Sequence, residues 1–257
     1  MTSYPDLQGQ TAIVTGASRG IGLAIAKTFV ANGMRVCITA RNDENLQEAV
    51  RTMPEGSAIG IAGKADDPNH RVDVMDRVAQ EFGRLDVLVN NAGINPVYGP
   101  LKDLDLAAAE KVFSVNIIST LAWVQEALHN PRLKFQENHG RVVNLSSVTS
   151  EMPGAGIGLY GISKAGVSHL TRTLAAELGP DIRVNAISPA LIKTEFAKAL
   201  YEGREQEVTQ QYPLKSLGKP DDVAAAAAFL CSAASSWVTG HILTVDGGLS
   251  VAGGSLS

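Results

Sequence analysis

Short apolar runs rich in β-branched residues alternate along the chain with longer amphipathic stretches, and this alternation limits the folds available to it. The apolar runs are continuous, which is typical of strands buried on both faces of a parallel sheet. We predict strands over 11–15, 35–39, 58–62, 87–90, 141–145, 183–187 and 242–245, and helices over 21–32, 45–53, 66–82, 107–128, 160–178 and 221–231. Such alternation implies right-handed crossovers, so the predicted fold is α/β: one doubly wound parallel sheet of about seven strands with helices on both faces.

The 257 residues suit one large α/β domain, and no linker, repeat or low-complexity stretch divides them. We therefore predict a single domain over residues 1–257. Residues 191–219 interrupt the alternation with aromatic residues and proline among charges. A segment of this kind near the carboxyl ends of strands is typical of a substrate lid.

A glycine-rich loop joins the first predicted strand to the first predicted helix, with the sequence Thr15-Gly16-Ala17-Ser18-Arg19-Gly20-Ile21-Gly22. Glycine permits a tight turn and close approach of the backbone to a pyrophosphate, and a helix N-terminus supplies free N–H groups. The spacing is G-x-x-x-G-x-G, and its strand–turn–helix context indicates a dinucleotide site. The candidate contacts in this loop are Gly16, Ser18, Arg19, Gly20, Ile21 and Gly22.

The end of the second predicted strand bears on which dinucleotide binds. It has no carboxylate to bond both ribose hydroxyls of NAD, and Arg41 follows the strand directly. Arg41 and Arg19, converging on one 2′-phosphate, would bind it through charge-assisted hydrogen bonds. The sequence therefore predicts NADP(H) and disfavours NAD(H); the alternative is that both arginines are solvated surface residues.

Tyr160 and Lys164 lie four residues apart in a predicted helix, so their side chains share one face. An ammonium close to a phenol favours the phenolate and lowers the pKa of the phenol. Tyr160 is therefore predicted to exchange a proton with a substrate near neutral pH.

Together these features resemble the short-chain dehydrogenase/reductase family over nearly the whole chain, and the resemblance implies a Rossmann-type fold. Within the family, the chain most resembles the 3-oxoacyl-carrier-protein-reductase-like and NADPH-dependent carbonyl-reductase-like branch. The matching residues are the loop 15–22, Asn90-Asn91-Ala92-Gly93, Asn116, Ser147, Tyr160, Lys164, Ser188-Pro189 and Asp246-Gly247-Gly248.

The resemblance also implies catalytic and cofactor-binding roles. Tyr160 would be the general acid in carbonyl reduction and the base in reverse, and Lys164 would hold the nicotinamide ribose and lower the pKa of Tyr160. Ser147, favoured over Ser146 by its thirteen-residue separation from Tyr160, would hydrogen-bond the substrate carbonyl oxygen. Asn116 would hold a water linking Lys164 to solvent. The further cofactor contacts implied are Ala65, Asn91, Gly93, Ile192 and Thr194.

Two positions depart from the family pattern. Lys64-Ala65 stands where the family usually has Asp-Val or Asn-Val beside adenine, which removes a polar contact to the ring. Pro189-Ala190 stands in place of Pro-Gly at the start of the predicted lid.

We thus predict an NADP(H)-dependent reductase of ketones or aldehydes, with 3-oxoacyl thioesters among the candidate substrates. One alternative is an NAD-dependent alcohol dehydrogenase, against which Arg19 and Arg41 argue. Another is a non-catalytic dinucleotide-sensing protein, a class that typically loses the tyrosine or lysine retained here.

Charge and composition exclude several partners. With a net charge of −4 and no basic cluster, nucleic acid is not expected. No apolar run approaches the roughly 20 residues that span a bilayer. The five histidines lack metal-ligand spacing, so no metal site is predicted.

Localisation and assembly rest on the termini and on the resemblance. Residues 1–6 lack the pattern of a signal peptide, and 254–257 do not match a peroxisomal address, so the cytoplasm is expected. The resemblance implies a homo-oligomer, a tetramer or a dimer, built through the long helices and the C-terminal strand.

Overall fold

The computed structural model describes residues 3–252 of the chain. Its strands are β1 Thr11–Val14, β2 Arg35–Ala40, β3 Ala58–Ala62, β4 Val87–Asn90, β5 Arg141–Leu145, β6 Arg183–Pro189 and β7 Ile242–Val245. All neighbouring strands pair in parallel, in the order β3-β2-β1-β4-β5-β6-β7. The predicted doubly wound parallel sheet is confirmed. Residues 1–2 and 253–257, on which the localisation prediction partly rests, lie outside the described residues.

Helices cover both faces of the sheet. They are α1 Gly20–Ala31, α2 Asp43–Arg51, α3 Pro68–Glu81, α4 Leu106–Phe113, α5 Ser119–His129, α6 Gly158–Leu178, α7 Glu205–Gln210 and α8 Pro220–Cys231. One apolar layer includes side chains of α1, α2 and α8, and the other includes side chains of α3, α5 and α6. Buried alanines of α8 let it pack closely on α1. Most predicted elements are present with ends shifted by one or two residues, as is usual at frayed termini.

The sheet changes winding direction at β1, which lies between β2 and β4. The chain leaves β1 toward one face and leaves β4 toward the other, so the connections after these strands diverge. A crevice at the carboxyl ends of the strands is the usual ligand site in such a sheet. The loops that follow β1 and β4 carry the glycine motif and the sequence Asn91-Ala92-Gly93.

The prediction of one continuous helix over 107–128 is wrong in one respect. A π-helical segment, Ser114–Ile118, separates α4 from α5. The Ser119 and Thr120 hydroxyls donate to the carbonyls of Val115 and Asn116, at 2.6 and 2.9 Å. Such side-chain bonds to helix carbonyls perturb the regular ladder. Segments of this kind often mark functional sites, and Asn116 lies within this one.

Candidate active site

The glycine loop is packed directly onto the chain that follows β4. Gly16 and Gly20 have φ of +64° and +60°, a region that residues with a Cβ rarely adopt. A Cβ on residue 16 would also lie 2.9 Å from the Cα of Ala92. Both glycines are therefore needed for the loop to take this path.

Asn91 holds the glycine loop in place. Its Nδ2 donates to the carbonyls of Thr15 and Gly16, at 2.8 and 2.9 Å. In return, the Thr15 hydroxyl oxygen accepts hydrogen bonds from the backbone N–H groups of Asn91 and Ala92. The Nδ2 group of Asn91 thus supports the loop.

The amino end of α1 is open to an anion. Arg19 precedes the helix in an extended conformation, and its own side chain does not cap the first turn. A Cβ on residue 22 would lie 2.7 Å from the carbonyl oxygen of Gly16, so the close packing of the first turn on the loop requires glycine at this position. Free N–H groups and the helix dipole favour negative charge here, and a pyrophosphate fits this end of the crevice. Ser18 and Ile21 lie in the same loop and first turn.

Arg19 and Arg41 border one region of the surface. The loop is joined to β2 by a 2.9 Å hydrogen bond from the Ala17 N–H to the Thr39 carbonyl, and each arginine lies two residues beyond one end of that bond. Both are exposed, and neither forms an ion pair among residues 3–252. Two unpaired guanidiniums near the end of β2 suit a phosphate.

Lys64 and Ala65 lie at the neighbouring strand end. Gly63, just after β3, donates to the Ala40 carbonyl at 2.9 Å, which brings the next residues beside the end of β2. Lys64 is exposed, and the Ala65 carbonyl accepts a 3.0 Å hydrogen bond from Trp123 Nε1. The backbone at Ala65 is therefore fixed while its methyl group remains available for contact.

Lys164 is buried between α6 and β5, with a side chain anchored to the sheet. It is 4% exposed, and its Nζ donates to the Leu145 carbonyl at 2.6 Å. The same Nζ lies 5.6 Å from the centre of the Tyr160 ring. Burial lowers the pKa of Lys164 to about 8.

The predicted lowering of the Tyr160 pKa is wrong for this structure. Desolvation raises the pKa of Tyr160 to about 12, because burial disfavours the phenolate. The Lys164 ammonium is directed to the Leu145 carbonyl, which limits its effect on the phenol. The phenol is therefore protonated at neutral pH.

Two adjacent serines after β5 have different environments. The Ser146 hydroxyl bonds the Lys164 carbonyl at 3.0 Å and the Ser168 hydroxyl at 2.7 Å, both in α6. Ser147 begins the short turn Val148–Ser150, and its Oγ accepts hydrogen bonds from Thr149. Ser146 therefore ties β5 to α6, whereas Ser147 keeps its own proton free.

Asn116 is bonded to its protein neighbours. Its Oδ1 accepts from the Ile94 N–H at 2.8 Å, and its Nδ2 donates to the Ile94 carbonyl and the Ser163 hydroxyl, each at 3.0 Å. Both amide hydrogens are used, so a linking water would have to bind elsewhere on this residue. A Cβ on Gly93 would lie 3.4 Å from both Asn116 Oδ1 and Lys164 Nζ, so these groups border the same space.

The segment 191–219 begins beside the glycine loop. Ile192 is buried in the core, and a Cβ on Gly20 would lie 3.3 Å from Thr194 Cγ2. Buried Tyr212 accepts a 3.4 Å hydrogen bond from the Leu191 N–H. Exposed Phe196 has its ring centre 6.4 Å from that of Tyr160. The predicted lid thus contacts both the dinucleotide loop and the tyrosine.

The structure adds two residues that the sequence analysis did not single out. Thr149 bonds Ser147, and Gly161 gives room for the Thr149 carbonyl. The S-x-T spacing from Ser147 to Thr149 was the only signal for the first, and it is common in turns.

Two properties of the described residues bear on other classes of site. Within residues 3–252, no helix combines the length and apolarity required to cross a bilayer. Nor do three or more His, Cys, Asp or Glu side chains there converge as metal ligands would.

Comparisons with known proteins identify the family of the chain. The sequence model of the family described as Enoyl-(Acyl carrier protein) reductase matches residues 16–250. The chain is 39% identical over 254 residues to 3beta-hydroxysteroid dehydrogenase 1 of Eggerthella lenta, covering 96% of each chain. It is 36% identical over 251 residues to Dehydrogenase/reductase SDR family member 4 of Caenorhabditis elegans, covering 94% of this chain and 95% of the relative.

A solved structure of a protein from the same family matches the fold. The crystal structure of Short-chain dehydrogenase/reductase SDR:Glucose/ribitol dehydrogenase from Brucella melitensis matches with a TM-score of 0.90 at 32% identity, covering 96% of this chain and 99% of that one. With the family match and the relatives, this likeness extends from the glycine loop to β7. The chain belongs to the short-chain dehydrogenase/reductase family, oxidoreductases that act on hydroxyl and carbonyl groups with nicotinamide dinucleotides.

Proposed function

We propose that this protein is an NADP(H)-dependent reductase that converts a ketone or aldehyde to an alcohol. The observation that carries the proposal is the arrangement of Tyr160, Lys164 and Ser147 where α6 meets the carboxyl end of β5. A protonated phenol, a buried amine and a serine hydroxyl with a free proton lie on adjoining elements there. These are the groups that proton transfer to a developing alkoxide requires.

Each residue has a distinct task in this proposal. The bound nicotinamide supplies the hydride in reduction and accepts it in oxidation. Tyr160 gives its phenolic proton to the substrate oxygen, and the phenol carries that proton at pH 7. Ser147 donates a hydrogen bond to the same oxygen as negative charge develops. Lys164 would hold the nicotinamide ribose, and its Nζ, bonded to the Leu145 carbonyl, lies 5.6 Å from the ring of the phenolate left behind.

Proton resupply involves Asn116 through its main chain. Both side-chain amide hydrogens are bonded to the protein, so we assign the linking water to the main-chain carbonyl, whose other acceptor position is taken by the Thr120 hydroxyl. Ser163, which bonds both Asn116 and the Tyr160 carbonyl, joins the π-helical segment to α6.

The cofactor assignment rests on charge at the adenosine end of the crevice. Arg19 and Arg41 are exposed beside the end of β2. The end of that strand has no carboxylate that could bind the ribose hydroxyls of NAD. Asn91, Gly93, Ala65, Ile192 and Thr194 are the further contacts that we assign. Ile192 is buried, so its main chain is the part that would reach the carboxamide.

The substrate assignment rests on the surfaces around Tyr160. Exposed Phe196 faces the catalytic ring, and exposed Tyr98 lies against Gly156 in the loop before α6. These aromatic side chains favour a carbonyl compound with an apolar body, held under a lid formed by 191–219. Oxidation of a sugar or polyol is the second candidate, because a structural relative is named a glucose/ribitol dehydrogenase.

One experiment tests both cofactor and direction. Purified protein is titrated with NADPH and NADH by nicotinamide fluorescence. It is then assayed with 4-nitrobenzaldehyde, cyclohexanone and ethyl acetoacetate for reduction, and with glucose and ribitol for oxidation. Tight NADPH binding with carbonyl reduction is expected. A preference for NADH with oxidation of glucose or ribitol would contradict the proposal and favour the dehydrogenase, and cofactor binding without turnover would favour a sensing protein.

We also propose that the protein is a homo-oligomer, a tetramer or a dimer. Leu106, Ile118 and Ile162 are exposed on the α4–α5 and α6 helices, and Trp237 before β7 is fully exposed. The proposal is that the exposed apolar side chains of these helices form a subunit contact, the role that exposed apolar patches commonly have. Sedimentation of wild type and of an Ile118→Asp, Ile162→Asp double variant tests this. A smaller species for the variant is expected, and a monomeric wild type would contradict the assignment.

A further inference from the structure

The hydroxyl oxygen of Ser147 accepts two hydrogen bonds from one residue. Thr149 Oγ1 donates to it at 2.9 Å, and the Thr149 backbone N–H donates to it at 3.2 Å. A serine hydroxyl has one proton to donate and two lone pairs to accept with. Both acceptor positions of Ser147 are therefore taken.

No group within residues 3–252 accepts the remaining proton of Ser147. Ser146, its neighbour, bonds the Lys164 carbonyl and so has a protein partner. Ser147 is only 8% exposed, which restricts its access to bulk water. Its proton is left for an acceptor that enters the site.

We propose that Thr149 is a positioning residue that makes Ser147 an obligatory hydrogen-bond donor to the substrate oxygen. This inference rests on the proposed function, because it assigns an orientation to a hydroxyl used in that reaction. A donor already turned toward the position where charge develops does not have to reorient during the reaction. The effect should therefore be felt in kcat more than in KM.

The turn that carries Thr149 is held by backbone contacts. Ser150 N–H donates to the Ser147 carbonyl at 2.9 Å, which closes the turn. The Thr149 carbonyl lies against Gly161, where a Cβ would stand 2.7 Å from the oxygen. The Thr149 hydroxyl is thus presented to Ser147 by a turn packed on α6.

Two variants of Thr149 separate the effect of its hydroxyl from that of its methyl group, and a third variant in the same turn is a control. Thr149→Val keeps the methyl and loses the hydroxyl, whereas Thr149→Ser does the reverse. Ser150→Ala is the matched control, because it removes a neighbouring buried hydroxyl that has no hydrogen-bond partner within residues 3–252. Carbonyl reduction with NADPH is measured on the substrate from the panel that wild type reduces fastest, together with NADPH affinity and the melting temperature.

The expected result is a kcat about five- to tenfold lower for Thr149→Val, the loss of one hydrogen bond, with KM and NADPH affinity little changed. Thr149→Ser and Ser150→Ala should keep kcat near wild type. If Thr149→Ser loses activity while Thr149→Val keeps it, the methyl packs the turn and the inference is wrong. Full activity in Thr149→Val also overturns it. A wild type that reduces no probe would instead overturn the proposed function, and this inference with it.

Discussion

The carbonyl oxygen of Thr149 lies against Gly161, so close that a Cβ on residue 161 would be 2.7 Å from the oxygen. Gly161 directly follows Tyr160 in α6, and Thr149 belongs to the turn that begins at Ser147. The separation of the turn from the helix is therefore set by backbone packing. The proposed donor and the proposed acid keep their spacing without depending on long flexible side chains.

A Gly161→Ala substitution should disrupt the site. Its methyl group would meet a main-chain carbonyl that cannot rotate away, so the turn carrying Ser147 must shift. Displacements of about 1 Å in a catalytic geometry can cost roughly a hundredfold in rate. We expect kcat to fall at least tenfold and the protein to lose about 1–3 kcal/mol of stability, measured by steady-state kinetics and urea unfolding.

Gly166→Ala in the same helix is the matched control. A Cβ there would lie 2.6 Å from Ile117 Cδ1, the end of a side chain that can change rotamer. Alanine also favours a helix over glycine by about 1 kcal/mol. Wild-type kcat and near-wild-type stability are expected, and equal damage from both substitutions would show that crowding of α6 in general is responsible.

Removing the Tyr160 hydroxyl should abolish turnover and spare binding. Tyr160→Phe keeps the ring beside Phe196 and loses the proton donor. General acid catalysis contributes about 10²- to 10⁴-fold, so kcat should fall by that factor while NADPH affinity stays close to wild type. Tyr4→Phe, a substitution near Asn32 and away from the crevice, controls for loss of a phenol. Substantial activity in Tyr160→Phe would rule out the assigned mechanism.

The preference for NADPH should depend on Arg41. Its guanidinium is exposed next to the end of β2, and an arginine–phosphate hydrogen bond contributes roughly 1.5–3 kcal/mol. Arg41→Ala should weaken NADPH binding about tenfold or more and leave NADH affinity unchanged, as followed by nicotinamide fluorescence. Arg51→Ala, an exposed arginine at the end of α2, is the control. Parallel losses for both cofactors would mean that Arg41 supports the loop rather than reads a phosphate.

The fold was predictable because the inner strands of the sheet are buried on both faces. Continuous apolar runs such as those of β1 and β5 identify a covered parallel sheet without further information. The π-helical segment at Ser114–Ile118 was not predictable, since hydroxyl donation by Ser119 and Thr120 and the anchoring of Asn116 to Ile94 depend on tertiary contacts.

The relative position of Tyr160 and Lys164 was easier to predict than the electrostatics of the candidate site. Helical spacing correctly placed Lys164 near Tyr160, at 5.6 Å from the ring centre. The direction of the Tyr160 pKa was missed because desolvation depends on burial, which spacing does not report. Thr149 was missed because its proposed role depends on the hydrogen bonds that Ser147 accepts, and the sequence does not show these bonds.

The burial of Lys164 should cost stability in the cofactor-free protein. Its pKa falls from an ordinary value of 10.5 to about 8 on folding, so below pH 8 both states carry the charge and the folded state bears the full penalty. A shift of this size corresponds to about 3 kcal/mol. Between pH 8 and 10.5 the unfolded chain binds more protons than the folded one, so this penalty is relieved as the pH rises.

Lys164→Met should therefore be more stable than wild type at pH 7, by up to about 3 kcal/mol, although it loses turnover. The advantage should shrink as the pH rises from 8 toward 10. Urea unfolding at pH 7, 8.5 and 9.5 measures it, with exposed Lys27→Met as the control. The range stops below pH 10 because the pKa of Tyr160 is raised from 10.0 to about 12 on folding. Above pH 10 the unfolded chain loses this proton first, which lowers the stability of the folded protein. A variant no more stable than wild type at pH 7 would mean that the hydrogen bond from Lys164 to Leu145 offsets the burial completely.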